Sequence, residues 1–422
     1  MKNKTQYTVC GDTIFTAEHE SGLRVSVCPK AGYSSAYAIF GTAYGSVNNR
    51  FRLPGESQPV EVPPGIAHFL EHKLFENENE DAFARYARTG ASANAYTSFD
   101  KTCYLFSCSQ NFEASLEILL DFVQSPYFTA ETVQKEQGII GQEIRMCLDS
   151  PERRVVWNLL EAMYHEHPVR LDIAGTVESI AQIDADLLYR CYNAFYRLEN
   201  MALCVAGNVD PDTVFDAADR LIRPAKVQGK PESLFPEEPA GVVKARTEQH
   251  FPVAVPLFQL GFKERAGARA TSRQLVETDI LLELLASESS PLYRRLLDRG
   301  WINPSFGCEY FEGPGYAAVL FGGESREPDR AADEIKAEIT RLRRDGIDPE
   351  TFECARRTVY GRAVSALGSV GAIANSMAEA AFSGRRFGEE IEIAMQVTKE
   401  DVMRRLNEQL DERFSALSVV CQ

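Results

Sequence analysis

The sequence predicts an α+β protein of two tandem homologous domains, each a mainly antiparallel sheet with helices packed on it. Three observations carry that prediction. First, 422 residues exceed what one ordinary hydrophobic core holds and suit two domains of roughly 200 residues each. Second, the chain repeats itself at a period of about 215 residues, the scale of a duplicated domain. Ala-Gln182-Ile-Asp184-Ala-Asp186 opens a helix leading into the apolar run MALCVAG, and Met-Gln396-Val-Thr398-Lys-Glu opens one leading into FSALSVV. FTAETVQKE and IDPETFECA match at nearly the same offset, with Glu131-Thr132 over Glu350-Thr351. Third, strand-like runs lie beside one another instead of alternating strictly with helices, which favours antiparallel pairing. The expected domains are 1–222 and 242–422, joined by a linker at 223–241, where RPAKVQGKPESLFPEEPAG is rich in Pro and Gly and aperiodic.

Taken in chain order, Leu23 to Val27 and Ala36 to Gly41 read as strands. Pro63-Pro64-Gly65 marks a turn before a helix. That helix carries Ile66, Phe69 and Leu70 on one side and His68, Glu71, His72 and Phe75 on the other. An apolar back of this kind is buried and presents the polar trio to a cleft. Leu116, Leu119, Leu120 and Val123 keep helical spacing after Asn111. Residues 128–150 read as a helix capped near Thr129, with Glu131 in its first turn. Glu136 and Glu143 share one face of it, two turns apart, with Ile139 and Ile140 between them.

Composition narrows the class of function. An apolar content of 44% and a charged content of 25% are those of a globular protein. No stretch approaches the ~20 uninterrupted apolar residues of a membrane span. MKNKTQYTVCGDTIF lacks the apolar centre of a secretory signal, so a cytoplasmic protein is expected. The ten Cys are scattered singly, with no C-x-x-C pair, and read as small buried hydrophobes in a reducing compartment. A net charge of −16 argues against a nucleic-acid partner, because phosphate binding needs the opposite sign. The same charge would draw cationic peptides into an acidic cavity, or serve solubility alone.

The chemistry lies in His68-Phe-Leu-Glu71-His72. Two imidazoles four residues apart share one face of a helix, and a carboxylate stands beside the second. This is the H-x-x-E-H order of the inverted zincins: two His nitrogens for a zinc ion and a Glu that acts on water. A charged surface helix bearing two His by chance is the bland alternative. A catalytic zinc needs a third protein ligand and an open position. Glu143 is the candidate, with Glu136 as an acid orienting the site; the residues alone do not separate these two roles. His165-Glu-His167 is no competitor, since a helix would point residues two apart in different directions.

HFLEH with Glu143 downstream resembles the pitrilysin/insulinase clan of zinc metallopeptidases, in the branch of mitochondrial processing peptidase and its bacterial zinc-bearing subunits. GASANAYTSFDKTCYLF, HPVRLDIAGTVESI and ENMALCVAGNVDPDTVF are similar to further blocks of that family. The resemblance implies Zn2+ on His68, His72 and Glu143, Glu71 as the base, and Glu136 as a second acid of the catalytic motif. Asn94 and Ala95 fall on the family's edge strand, which contacts the peptide substrate. It further implies a clamshell whose halves close a chamber over unfolded oligopeptides. The internal repeat sets HFLEH opposite TDILLELLASES and Glu143 opposite roughly Arg362, so the second half is a degenerate copy without a metal set. One departure stands out. Active members use an Arg and, about seven residues later, a Tyr from the second half. Within residues 290–310 those slots hold Leu297 and Pro304, or in a shifted register Arg299 and Phe306. A related subunit, in a homo- or heterodimer, is therefore expected to supply Arg and Tyr, with no nucleic acid and no membrane involved. A non-catalytic assembly subunit of the same fold is the alternative function.

Overall fold

The computed structural model describes residues 1–78, 80–223, 229–264 and 269–422. Part of the expected linker, 224–228, thus lies outside the described residues. In chain order the strands are β1 (Lys2–Val9), β2 (Asp12–Glu18), β3 (Arg24–Pro29), β4 (Ala36–Thr42), β5 (Arg50–Arg52), β6 (Val60–Glu61), β7 (Ser92–Thr97), β8 (Thr102–Cys108) and β9 (Met201–Gly207). They continue as β10 (Glu232–Ser233), β11 (Arg246–His250), β12 (Leu257–Lys263), β13 (Gly307–Gly313), β14 (Tyr316–Glu324) and β15 (Ser415–Cys421). The helices that matter here are α1 (Ile66–Phe75), α2 (Ala82–Thr89), α3 (Phe112–Val123), α4 (Ala130–Leu148) and α5 (Pro151–Met163).

The predicted class is observed: two sheets, each with its own helices. The first runs β1-β2-β3-β9-β4-β8-β7 and the second β11-β15-β12-β14-β13. Strands β5, β6 and β10 make a small third sheet. The duplication is visible in the pairing. In each large sheet one pair is parallel, β3 with β9 and β11 with β15, and every other pair is antiparallel. The order β3-β9-β4-β8-β7 is therefore copied by β11-β15-β12-β14-β13. The helices that precede β9 and β15 begin alike as well. Asp184 caps one by accepting from Leu187 N, and Thr398 caps the other by accepting from Asp401 N.

Two compact units result: 1–144 with 172–234 and 364–388, and 145–171 with 235–363 and 389–422. Each takes one helix from the other half of the chain. Helix α5 packs on β12 and β15, inside the second unit, while the helix Val370–Ser383 packs on β4 and β9, inside the first. The central strand β9 is buried along its whole length, with all seven residues shielded from solvent.

Candidate metal centre

Helix α1 starts where two loops cross. Gly65, at φ 94°, caps it, and a Cβ there would stand 2.5 Å from the carbonyl oxygen of Ala174. Only glycine combines that left-handed backbone with so close an approach. Gly175 faces Pro64 O in the same way, and Ser179 Oγ donates to Pro64 O at 2.8 Å. The block HPVRLDIAGTVESI thus seats the start of the metal helix. From there Ile66, Ala67, Phe69, Leu70 and Leu74 are buried, while His68, Glu71 and His72 are only partly covered. Phe75 does not stay with the polar trio; it turns into the core and stacks on Phe83 and Phe122.

Helix α4 brings its acids opposite α1. Glu143 sets one carboxylate oxygen 3.6 Å from His68 Nε2 and the other 3.5 Å from His72 Nε2. These separations are too long for N–H···O hydrogen bonds. They match the edge of a tetrahedral zinc site, where bonds of about 2.0–2.2 Å hold neighbouring ligand atoms roughly 3.3–3.6 Å apart. The two imidazole rings lie 4.6 Å apart at 63°. His68, His72 and Glu143 each offer an atom within 4.8 Å of the others. Glu136, two turns earlier on the same face of α4 and mostly buried, meets His72 Nδ1 at 3.0 Å. A carboxylate on Nδ1 fixes that nitrogen as the donor and leaves the Nε2 lone pair for a cation. By geometry and donor chemistry this set fits zinc; Glu143 faces both imidazole Nε2 atoms, and Glu136 meets Nδ1 of His72 alone.

Glu71 points elsewhere. Its Oε2 accepts from Thr97 Oγ1 at 2.6 Å, on strand β7, and it takes no place in the three-ligand set. Burial pushes its carboxyl above the ordinary range; the Thr97 hydroxyl and His72 oppose this, and the charge of Glu143 adds to it. For His72 burial acts downward, yet the hydrogen bond it donates to Glu136 and the surrounding carboxylates raise it. Thr97 was not singled out from sequence. A hydroxyl in a β-strand is ordinary, and only the pairing of β7 beside α1 reveals its partner.

Asn94 and Ala95 lie on β7, the outer strand of the first sheet. With Glu71, His72, Phe83 and Ile139 they border a cavity of about 600 Å3. Tyr96 OH donates to Asn375 Oδ1 at 3.3 Å and Lys101 pairs with Glu379 at 2.7 Å, so the helix Val370–Ser383 steadies this strand from behind. His165 and His167 are remote from the metal set in chemistry. The backbone N–H groups of His165, Glu166 and His167 all donate to Glu238, and His167 caps the short turn after it by accepting from Val169 N. Burial lowers His167 to about 4. Of the residues weighed for the Arg/Tyr slots, Arg299 pairs with Glu334 at 2.8 Å and lies over Trp301, while Phe306 is buried against Phe258 and Tyr293. Leu297 is exposed. Among the described residues, no helix is long and apolar enough to cross a membrane.

The family description "Insulinase (Peptidase family M16)" matches residues 60–177, and "Peptidase M16 inactive domain" matches residues 182–359. The chain is 39% identical to the Bacillus subtilis protein named uncharacterized zinc protease YmfH, over 98% of each chain. A Rickettsia bellii protein, also named an uncharacterized zinc protease, is 27% identical over 74% of each. A crystal structure from Alicyclobacillus acidocaldarius, described as M16-like, matches with a TM-score of 0.93 and 38% identity, over 100% of this chain and 99% of that one. Pitrilysin shares the fold with a TM-score of 0.76 at 14% identity, over 100% of this chain and 47% of its own. The chain belongs to the insulinase-type peptidase family M16.

Proposed function

We propose that the chain is a zinc endopeptidase that hydrolyses unfolded oligopeptides, and that a related subunit completes its active site. The observation that carries this reading is the facing of both imidazole Nε2 atoms by the two oxygens of Glu143, with Glu71 held separately by Thr97. His68, His72 and Glu143 are the residues to hold the ion. When bound, zinc supplies Lewis acidity that makes water more acidic and a peptide carbonyl more electrophilic. Glu71 takes the proton from the attacking water as its oxygen bonds to the carbonyl carbon. It then returns that proton to the amide nitrogen as the C–N bond breaks. The Thr97 hydroxyl occupies one Glu71 oxygen and so orients the other. Glu136 keeps His72 in the tautomer that presents Nε2.

The substrate adds as a strand along the outer edge of β7, where Asn94 and Ala95 lie, and main-chain hydrogen bonds give affinity without strong sequence preference. The domain division at 223–241, the closed chamber, the cytoplasmic location and the dimer belong to the same proposal. The partner is inferred from residues 290–310, where Arg299 is engaged by Glu334 and no Tyr stands at the required spacing. A structural assembly subunit remains the rival reading, and the complete His68, His72 and Glu143 set speaks against it. Metal content tests the core of the proposal. The parent chain should bind zinc through this set with high affinity, and Glu143→Gln should lose it. Undiminished zinc affinity in Glu143→Gln would remove Glu143 from the ligand set and with it this reading.

A further inference from the structure

A second group of metal-capable side chains lies in the other compact unit, on the outer edge of the second sheet. Strands β11 and β15 run parallel, with His250 in register with Cys421. Residues two apart on a strand share a face, so Glu248 stands on the same side of β11 as His250, and Cys421 joins them from β15. One ligand atom from each lies within 4.8 Å of the others. His250 Nδ1 is 3.8 Å from Cys421 Sγ, and Nε2 is 3.9 Å from Glu248 Oε1. Nδ1 also lies 2.9 Å from the backbone oxygen of Gln422.

We propose that Glu248, His250 and Cys421 form a second metal site, for zinc or a cation of similar softness, distinct from His68, His72 and Glu143. Thiolate, imidazole and carboxylate together suit zinc and discriminate against calcium and magnesium, which prefer all-oxygen shells. Only one imidazole nitrogen can serve the ion, so the three ligand atoms, now within 4.8 Å of one another, must draw together to roughly 3.3–3.6 Å. Glu248 and His250 are exposed, so they have rotamer freedom to do so. Glu248 pairs with Arg246 at 2.7 Å, an exposed contact that is weakly held. Arg246 keeps a second carboxylate, Asp329 at 2.9 Å, when Glu248 turns away. On binding, the Cys421 thiol gives its proton to solvent and its sulfur lone pair to the ion; no redox change is involved. The ion would tie β15 to β11 across 171 residues of chain, so it closes a long loop and resists fraying of the sheet edge.

Cobalt(II) is the probe. Under reducing conditions the apo chain should take two equivalents, one of them with a near-ultraviolet sulfur-to-cobalt charge-transfer band. His68, His72 and Glu143 contain no sulfur and cannot give that band. Cys421→Ser and, independently, His250→Ala should abolish it and reduce uptake to one equivalent, with circular dichroism unchanged. His68→Ala should leave the band intact, so failure of the first site and failure of the second are read separately. No band in a chain whose thiols titrate as free would overturn the proposal. So would a band that survives Cys421→Ser, which would place cobalt at another thiol such as the exposed Cys10 or Cys354.

Discussion

At the scale of single residues, the candidate site depends on hydrogen bonds that hold ionisable groups in one state. Thr97 is the clearest case, because its hydroxyl donates to Glu71, which stands outside the three-ligand set. Thr97→Val keeps the β-branched shape and removes the donor. A hydrogen bond to a charged group is worth about 1.5–3 kcal/mol, so kcat should fall roughly ten- to a hundredfold. Zinc affinity should not change, and steady-state kinetics with metal analysis on the same sample checks both. A second residue-scale effect lies away from the chemistry. His167 is almost fully buried and its folded-state value is near 4, against 6.5 for the free group. Between those values the unfolded chain binds the extra proton, so stability rises with pH across the window and is lost as pH falls from 6.5 toward 4. The full loss is about 3 kcal/mol. Glu238, held down to about 2 by Lys263 and three backbone N–H groups against its own burial, extends the decline below pH 4.5. Urea midpoints at pH 7 and pH 5 should differ clearly in the parent and much less in His167→Gln.

Elements explain which parts of this site can be read from sequence. His68, Glu71 and His72 are legible because the i, i+4 spacing places both imidazoles on one face whatever surrounds the helix. Glu143 is legible as an acid on the right helix face, but its choice over Glu136 needs the distance between α1 and α4. The helix openings around Asp184 and Thr398 and the turn at Gly65 are local signals, and the elements begin there. What local pattern cannot carry is the destination of an amphipathic helix. The apolar faces of α5 and of Val370–Ser383 announce burial, not which sheet they cover, and each joins the unit built mainly from the opposite half. Phe75 shows the same limit on a smaller scale: helical phase placed it with the polar trio, while α2 and α3 supply the rings that draw it inward. Gly65→Ala tests the seating of α1 directly. Positive φ and contact with Ala174 O should together cost about 3 kcal/mol. Thermal melting should show the loss, and zinc affinity should fall because His68 lies in the first turn of the displaced helix.

On the scale of the whole molecule, the duplicated sheet order shows one fold used twice, and the proposed ligands His68, His72 and Glu143 lie in one copy. In the second copy, Glu283 and Arg362 form an ion pair on the helices that answer to α1 and α4. A guanidinium there supplies the positive charge that the first copy would take from an ion. On the proposed reading a related chain makes good the Arg/Tyr deficit at 290–310, and losing one oxyanion donor alone costs on the order of 100- to 1000-fold in rate. The most direct measurement compares the parent with Glu71→Gln, both in a Cys421→Ser background, scoring bound zinc and cleavage of a quenched peptide with and without that related chain. The account predicts equal zinc in both proteins, slow cleavage by the parent alone, rapid cleavage when the partner is added, and no cleavage by Glu71→Gln in either state. Cleavage by Glu71→Gln at the parent rate, or loss of its zinc, would contradict the roles assigned here.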